Sequence, residues 1–194
     1  AFPAKLTGSG LDDTNNTGIW AESSGSLKLV ARAGDRAPGT PDGVQFGRMT
    51  GITVPTLNAA GQVAFVGTLA GSGVDTSNDL GIWATDVNGS LWLIAREGEQ
   101  LEVAPSDFRT IRSVSFGRFE VGGTGSGNED GRPSGFNDRG QLGFTATFTD
   151  GSSGVFVSNL VAIPEPATVI LIGFVLGAFI GLPRGMKKNR GGRK

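Results

Sequence analysis

The sequence lacks the residue types on which many catalytic and metal sites depend. Its 194 residues include no cysteine, no histidine and no tyrosine. The absence of cysteine excludes a disulfide framework and thiolate chemistry. The absence of histidine excludes Ser-His-Asp and Cys-His nucleophile sites, and the usual zinc sites, within this chain. We therefore predict a non-enzymatic protein without a cofactor, although carboxylate pairs of the glycosidase type stay open because they form in space.

A secretory signal peptide is also missing from the start of the sequence. The first ten residues, AFPAKLTGSG, have neither a basic start nor an apolar stretch. The first residue is Ala1 rather than methionine. This indicates either a mature terminus or a truncated chain, and the internal repeats favour truncation.

Glycine, in contrast, is abundant, with 33 residues. The glycines do not recur at every third position, which excludes a collagen-like chain. They stand at recurrent turn positions, as expected of strands joined by tight turns.

A long hydrophobic run lies near the C-terminus. Residues 167–182 read ATVILIGFVLGAFIGL, without a charged residue or a polar stripe. The run is at the short end for a transmembrane helix, which usually needs roughly 17–25 residues. Interfacial residues and snorkelling basic side chains make up such a deficit. Because a buried core helix would normally carry a polar stripe, we predict a transmembrane helix over 167–182.

The charges around this run predict its orientation. Residues 183–194 contain six basic residues and no acidic residue, and such clusters stay cytoplasmic. Residues 1–182 keep 11 Lys+Arg and all 18 Asp+Glu, a net charge of −7. This acidic part is expected outside the cytoplasm and is not expected to bind nucleic acid. The basic tail consists of Arg184, Lys187, Lys188, Arg190, Arg193 and Lys194.

A short proline-rich motif precedes the hydrophobic run, within a linker over 161–166. Its residues are Pro164, Glu165 and Pro166. The order of Pro-Glu-Pro, apolar helix and basic end resembles the PEP-CTERM sorting signal of Gram-negative bacteria. The resemblance implies a partner, an exosortase, which recognises the tail and processes it at or near these three residues. It also implies a single-pass protein of the bacterial cell envelope, or release to the cell surface or matrix after processing.

Internal repeats occupy the rest of the chain. Three motifs recur, the first two at spacings of 63 and 64 residues and the third at 79, which includes an insertion over 121–135. The matching pairs are GIWA at 18–21 and 81–84, GSLKLVARAG at 25–34 with GSLWLIAREG at 89–98, and NAAGQVAF at 58–65 with NDRGQLGF at 137–144. We predict units at about 1–61 and 62–140 and a partial unit at 141–160.

Each unit is predicted to form four short strands. Apolar residues alternate with a polar one in Leu27-Lys28-Leu29, as in a half-buried strand. Four strands per repeat of this length are typical of a β-propeller blade, and a propeller closes with at least about four blades. We therefore predict an all-β fold of tandem four-stranded antiparallel units, arranged as propeller-like blades of an incomplete ring and followed by the transmembrane helix. An open stack of antiparallel sheets, or a sandwich, is the alternative.

The pattern N-x-x-G-x-x-A-F, together with GIWA and LVARAGD, resembles a family of tandem-repeat surface proteins named for that pattern. Members of that family often end in an anchor of the PEP-CTERM type. The resemblance implies an exported repeat protein but no reaction or ligand. The third copy departs from the pattern, since Gly143 stands in place of the alanine.

Few residues are candidates for binding. Trp20 and Trp83 share one repeat position, so we assign them to packing between sheets. Trp92 replaces Lys28 of the first copy and is expected to face outward, as a ligand contact. Oxygen-rich loops can hold Ca²⁺, but Asp and Asn also dominate ordinary turns. We predict no metal site; the weak calcium candidates are Asp12, Asp13, Asp75 and Asp79.

The main functional prediction is an exported, non-enzymatic cell-envelope or extracellular-matrix repeat protein, sorted by its tail through an exosortase. Its expected partners are this enzyme and the membrane, with exopolysaccharide as a further candidate. The alternatives are a surface glycan-binding module that uses Trp92, and a fragment of a surface hydrolase whose catalytic residues lie upstream.

Overall fold

The computed structural model describes residues 1–23, 25–49, 54–116 and 135–163, which form twelve β-strands and no helix. The strands are β1 Phe2–Lys5, β2 Thr17–Ser23, β3 Ser26–Arg32, β4 Val44–Phe46, β5 Thr56–Leu57, β6 Val63–Gly71, β7 Leu80–Thr85, β8 Leu91–Arg96, β9 Gln100–Ala104, β10 Asp107–Phe116, β11 Leu142–Phe148 and β12 Ser153–Ser158. Residues 1–163 form one compact unit. The predicted all-β fold is confirmed.

The strands form three antiparallel sheets that follow one another along the chain. The first sheet has the order β1-β2-β3. The second has the order β4-β6-β7-β8, with β5 also paired to β6, and the third has the order β12-β11-β10-β9. Every pairing between these strands is antiparallel.

The fourth strand of each repeat joins the sheet of the following repeat. β4 follows β3 in the chain but pairs with β6, where Phe46 lies opposite Leu69. β10 likewise pairs with β11, where Ile111 lies opposite Phe148. The sheets are therefore shifted by one strand from the sequence repeats, and this exchange links neighbouring sheets through the backbone. The shift was not predicted, because a repeat pattern does not show where a unit begins.

The second sheet is packed on both faces. On one face, Phe65 and Trp83 share a hydrophobic core with Ile19 and Ala21 of the first sheet. On the other face, a separate core joins Ile82 and Ala84 to residues of the third sheet. This double burial explains why VAFV and GIWA are apolar at consecutive positions. In the third sheet, by contrast, burial alternates along β11 between buried and more accessible residues, and along β12 between partly buried and exposed residues.

The glycine that opens GIWA lies under the aromatic ring of the same strand. A Cβ atom at Gly81 would lie 2.7 Å from the Trp83 ring. Equivalent atoms at Gly18 and Gly154 would lie 2.9 Å from the rings two residues later. The aromatic side chain leans back over its own strand, and only glycine leaves room for it. This packing accounts for the G-x-aromatic spacing in all three copies.

Tight turns that carry a glycine of positive φ join the strands, as the recurrent glycine positions indicated. Gly61 and Gly140 have φ values of 78° and 74°, and each amide donates to the carbonyl of the Asn three residues earlier. Gly89, with φ of 84°, closes the hairpin between β7 and β8. Glycine adopts this left-handed conformation without steric cost.

Two short strands were not predicted. β5 has only two residues, too few to show a period. β9 forms a hairpin with β10 in which Ser106, after Pro105, has φ of 64°. Proline followed by a residue of positive φ is typical of a type II turn, but that position usually carries glycine or asparagine. Serine there gave no turn signal.

Several predictions fall outside the described residues. These are the Pro-Glu-Pro motif, the helix over 167–182, the basic tail, and the insertion apart from Gly135. Within the described ranges no helix is long and apolar enough to span a membrane.

Candidate functional site

Trp92 lies on β8, the last strand of the second sheet, and its side chain is 46% exposed. Its indole Nε1 donates to Oδ2 of Asp86 at 3.1 Å. The other oxygen of Asp86 accepts from the backbone amides of Asn88 and Ser90 at 2.8 and 2.9 Å. The hairpin turn thus fixes the carboxylate, and the carboxylate orients the indole. The ring is held in place while its surface remains open to a ligand.

The hydrogen bonds at this hairpin also set the charge of Asp86. Burial raises the pKa of its carboxyl group, but donors from Trp92, Ser90 and Asn88 outweigh that effect and leave the pKa below its usual value. Asp86 therefore stays ionised at neutral pH and continues to accept the hydrogen bond from the indole of Trp92.

A shallow groove of about 370 Å³ runs along β8 beside Trp92. Its floor is formed by β8 itself, and one wall comes from the connection between β3 and β4, where Gly39 approaches Leu93. A Cβ atom at Gly39 would lie 2.6 Å from that of Leu93. The lining residues are Pro38, Gly39, Ser90, Leu91, Trp92, Leu93, Ile94 and Glu99.

Glu99 gives the groove a titratable group. Burial raises the pKa of its carboxyl group, and Arg96, whose Nη1 lies 3.8 Å from Oε1, lowers it only in part. One exposed aromatic surface, one carboxyl group and several apolar side chains suit a polar ring-shaped ligand such as a sugar.

The repeated tryptophans have different environments. Trp83 is fully buried, and its Nε1 donates to the carbonyl of Pro38 at 3.0 Å. Its ring packs edge-on against Phe46 with centroids 5.0 Å apart. Trp20, at the same repeat position, is half-buried on the outer face of the first sheet. The structure therefore places Trp83 between two sheets and Trp20 on a face that the described residues leave open.

In the acidic loops before β2 and β7, aspartate side chains accept hydrogen bonds from residues of the same loop. Oδ1 of Asp12 accepts from the amide and the hydroxyl of Thr14, and Oδ1 of Asp75 accepts in the same way from Ser77. These bonds hold the pKa of both aspartates below the usual value. In the part of the chain that the structure describes, no three acidic side chains converge as metal ligands.

The repeated arginines hold these loops against the sheets. Nε of Arg32 donates to the carbonyl of Asn15 at 2.8 Å, and Nε of Arg96 donates to that of Asn78 at 3.0 Å. Arg96 also approaches the carboxylate of Glu99. The shared partner in both copies is nevertheless a loop carbonyl, so the repeated arginine, aspartate and asparagine form one structural unit.

A buried amide cluster, which we did not predict, connects the second and third repeats. Nε2 of Gln62 donates to the carbonyls of Thr85 and Val161 at 3.1 and 2.7 Å. Nδ2 of Asn58 donates to Oε1 of Gln62 and to the carbonyl of Asn137, both at 2.9 Å. The only signal in the sequence was the recurrence of Asn-x-x-Gly-Gln, which also reads as an ordinary turn.

Comparison with known proteins is informative at the level of family. A model for a family of unknown function, DUF7453, matches residues 1–170. The chain belongs to this family. The matched region contains all three sheets, the groove beside Trp92 and the Pro-Glu-Pro motif. No curated protein and no solved structure has significant similarity to the chain.

Proposed function

We propose that this member of DUF7453 is an exported, non-enzymatic repeat protein of the bacterial cell envelope or extracellular matrix, sorted by its C-terminal tail through an exosortase. The tail carries the proposal: a Pro-Glu-Pro motif, an uncharged apolar run and six basic residues follow one another in residues 164–194. The apolar run serves as a transmembrane helix, and the basic end stays in the cytoplasm.

The use of polar residues in the sheets is consistent with a scaffold role. The repeated Arg32 and Arg96 and the aspartates before β2 and β7 are engaged in holding loops. The buried amides of Asn58 and Gln62 are engaged in joining repeats. These structural roles explain why the polar motifs recur, and no catalytic role is needed to explain them.

We further propose that the sheets are propeller-like blades of an incomplete ring. Each of the first two repeats contributes its fourth strand to the following sheet, and successive sheets pack face to face, as blades do. Three sheets are fewer than the roughly four blades that the smallest propellers need. Further repeats in the full-length protein would complete the ring.

The sorting proposal is tested in the native host with Glu165→Gln. Loss of the carboxylate from Pro-Glu-Pro is expected to prevent recognition by the exosortase, so the variant accumulates unprocessed in the membrane fraction. Glu22→Gln, an exposed position on β2, is the matched control and is expected to be sorted normally. Normal sorting of the Glu165 variant would contradict the proposal.

Glycan binding at the groove beside Trp92 is the second candidate function, and the oriented, half-exposed indole favours it. Trp92→Lys places there the residue of the first repeat and should leave the fold intact. On an array of bacterial exopolysaccharides, this variant is expected to lose more than about tenfold in affinity, as for a central aromatic contact. Equal binding by Leu27→Ala, an exposed position on β3 that does not line the groove, is the control. Absence of binding by the parent chain, or equal binding by Trp92→Lys, would exclude this candidate.

A further inference from the structure

We propose that the outer face of the first sheet, together with the adjoining edge of β1, is the docking site for another repeat unit of this protein's own type. The inference rests on the proposed arrangement of the repeats as successive blades. It adds which surface receives the neighbouring blade and which side chains that blade must present.

The first and second sheets carry the same row of apolar side chains across three strands. Phe65 lies opposite Trp83, and Trp83 opposite Leu93, on one face of the second sheet. The first sheet repeats this as Phe2 opposite Trp20 and Trp20 opposite Leu29. We call the row Phe2–Trp20–Leu29 the aromatic row.

The two rows differ in what covers them. Phe65 and Trp83 are fully buried, and Leu93 packs against the same core. Phe2 and Leu29 are 45% and 47% exposed. A face with this composition is normally buried, because contiguous exposed apolar surface marks an interaction site.

The packing of the second sheet indicates which side chains the partner must present. Its row is covered by Ile19, Ala21 and Ala31, which lie on the inner face of the first sheet and belong to the same hydrophobic core. The third sheet follows the same rule, since Ile82 and Ala84 share a core with Phe144. The side chains that cover an aromatic row are thus the isoleucine and alanine of a neighbouring GIWA strand.

A glycine that follows β1 is a second, independent indication of this partner. In the second sheet β4 pairs along β6, and a Cβ atom at Gly71 would lie 2.1 Å from the carbonyl oxygen of Gly43. Gly8 occupies the position equivalent to Gly71, yet its nearest neighbour at a Cβ position is the Leu11 side chain, at 3.8 Å. The first repeat therefore keeps the glycine that accommodates a fourth strand, and among the described strands β1 pairs with β2 alone.

A second copy of the chain is a poorer fit. The face it would offer is the outer face of the third sheet, where Ser113 bonds to Thr147 and Ser115 to Thr145, both at 2.6 Å. The same face also exposes Val155 and Val157, by 69% and 63%, at the repeat positions of Ile82 and Ala84, so the edge of the sheet and not this face disfavours a second copy. The described residues after β12, 159–163, form no strand that could extend the edge of β1.

The test extends the full chain at its N-terminus with a duplicate of residues 1–63. The duplicate's Val63 then precedes Ala1, just as Val63 precedes Ala64 in the second repeat. The duplicate carries Trp20→Phe, so that hydroxyl-radical footprinting by mass spectrometry reports the original Trp20 alone. We expect oxidation of the original Trp20 to slow about tenfold, towards the rate of Trp83, and the amides of β1 to become protected from hydrogen exchange.

Two variants of the duplicate separate docking from a general effect of the extension. Ile19→Asp with Ala21→Asp in the duplicate places charges against the aromatic row and is expected to restore rapid oxidation of the original Trp20. Glu22→Lys, an exposed change on the far side of the duplicate, should leave the protection intact.

Unchanged oxidation of the original Trp20 in the extended chain would overturn the proposal, whether or not the duplicate protects its own strands. So would protection that rises with the concentration of the unextended chain, since this would make a second copy the partner. Neither readout depends on sorting of the tail.

Discussion

Gln62 is a buried polar side chain, 1% exposed, and each polar atom of its amide has a partner. It joins the turn at Asn58 to β7 and to the segment after β12. Gln141 is its counterpart in the third repeat, where it bonds to Asn137 and Asn159 but is partly exposed. The same motif is therefore expected to contribute differently to the free energy of unfolding at Gln62 and at Gln141.

Replacement of Gln62 tests this difference. Gln62→Ala would remove the side-chain donor to the carbonyl of Val161 and one of the two acceptors of the Asn58 side-chain amide, in a site closed to water. We therefore expect a loss of about 1–3 kcal/mol in the free energy of unfolding. The matched change, Gln141→Ala, leaves groups that water can solvate and should cost clearly less. Urea unfolding of the full chain measures both, and equal losses would contradict the assignment.

Glu97 makes stability depend on pH. Burial raises the pKa of its carboxyl group, and nearby Asp79 raises it further. The folded state thus holds this proton more tightly than the unfolded state, so the ionised group lowers stability at neutral pH. That penalty disappears as the pH falls through the folded pKa to below the ordinary value of 4.5.

A neutral side chain at this position should remove the penalty. Glu97→Gln is expected to raise the midpoint of thermal unfolding at neutral pH and to match the parent chain in acid, where Glu97 is protonated in both states. Exposed Glu22→Gln serves as the control, with no change at either pH. An equal gain at all pH values would show that the carboxylate charge is not responsible.

Side-chain environments could be predicted only in part. The replacement of Lys28 by Trp92 indicated an outward-facing position, and Trp92 is exposed. The shared position of Trp20 and Trp83 suggested a shared environment. Trp83 is buried and Trp20 is not fully covered, because a repeat pattern gives the position within a unit and not the number of neighbours around it.

At the scale of elements, the strands with clear alternation or strong apolar runs were predictable. The GIWA and SLKLVAR motifs fall in β2, β3, β7 and β8. The joining of the fourth strand to the following sheet could not be predicted, because β4 has only three residues and its partner lies in the next repeat. Pairing over such a distance depends on packing that local propensity does not encode.

The aromatic rows give an element-scale prediction. Trp83→Ala removes a ring that contacts Phe46 and Phe65 in a closed core, so we expect a loss of about 3–5 kcal/mol in the free energy of unfolding. Trp20→Ala, at the same repeat position, removes a ring on an open face and should cost less. Denaturation followed by circular dichroism compares the two. Similar losses would show that the outer row is already covered.

At the scale of the whole molecule, the distribution of charge distinguishes the repeat region from the tail. The full chain has a net charge of −1, but residues 1–182 carry −7. An acidic region before an apolar run and a basic region after it fit export of the sheets and cytoplasmic retention of the end. With the Pro-Glu-Pro motif between them, the apolar run acts in our proposal as a sorting signal that is removed once delivery is complete.

The most direct measurement is mass spectrometry of the mature C-terminus, on protein isolated from the native host. Sorting through an exosortase predicts a chain that ends at or near Pro164, Glu165 or Pro166, without the apolar run and the basic tail. A mature protein that still ends at Lys194 would contradict processing and leave the run as a permanent anchor.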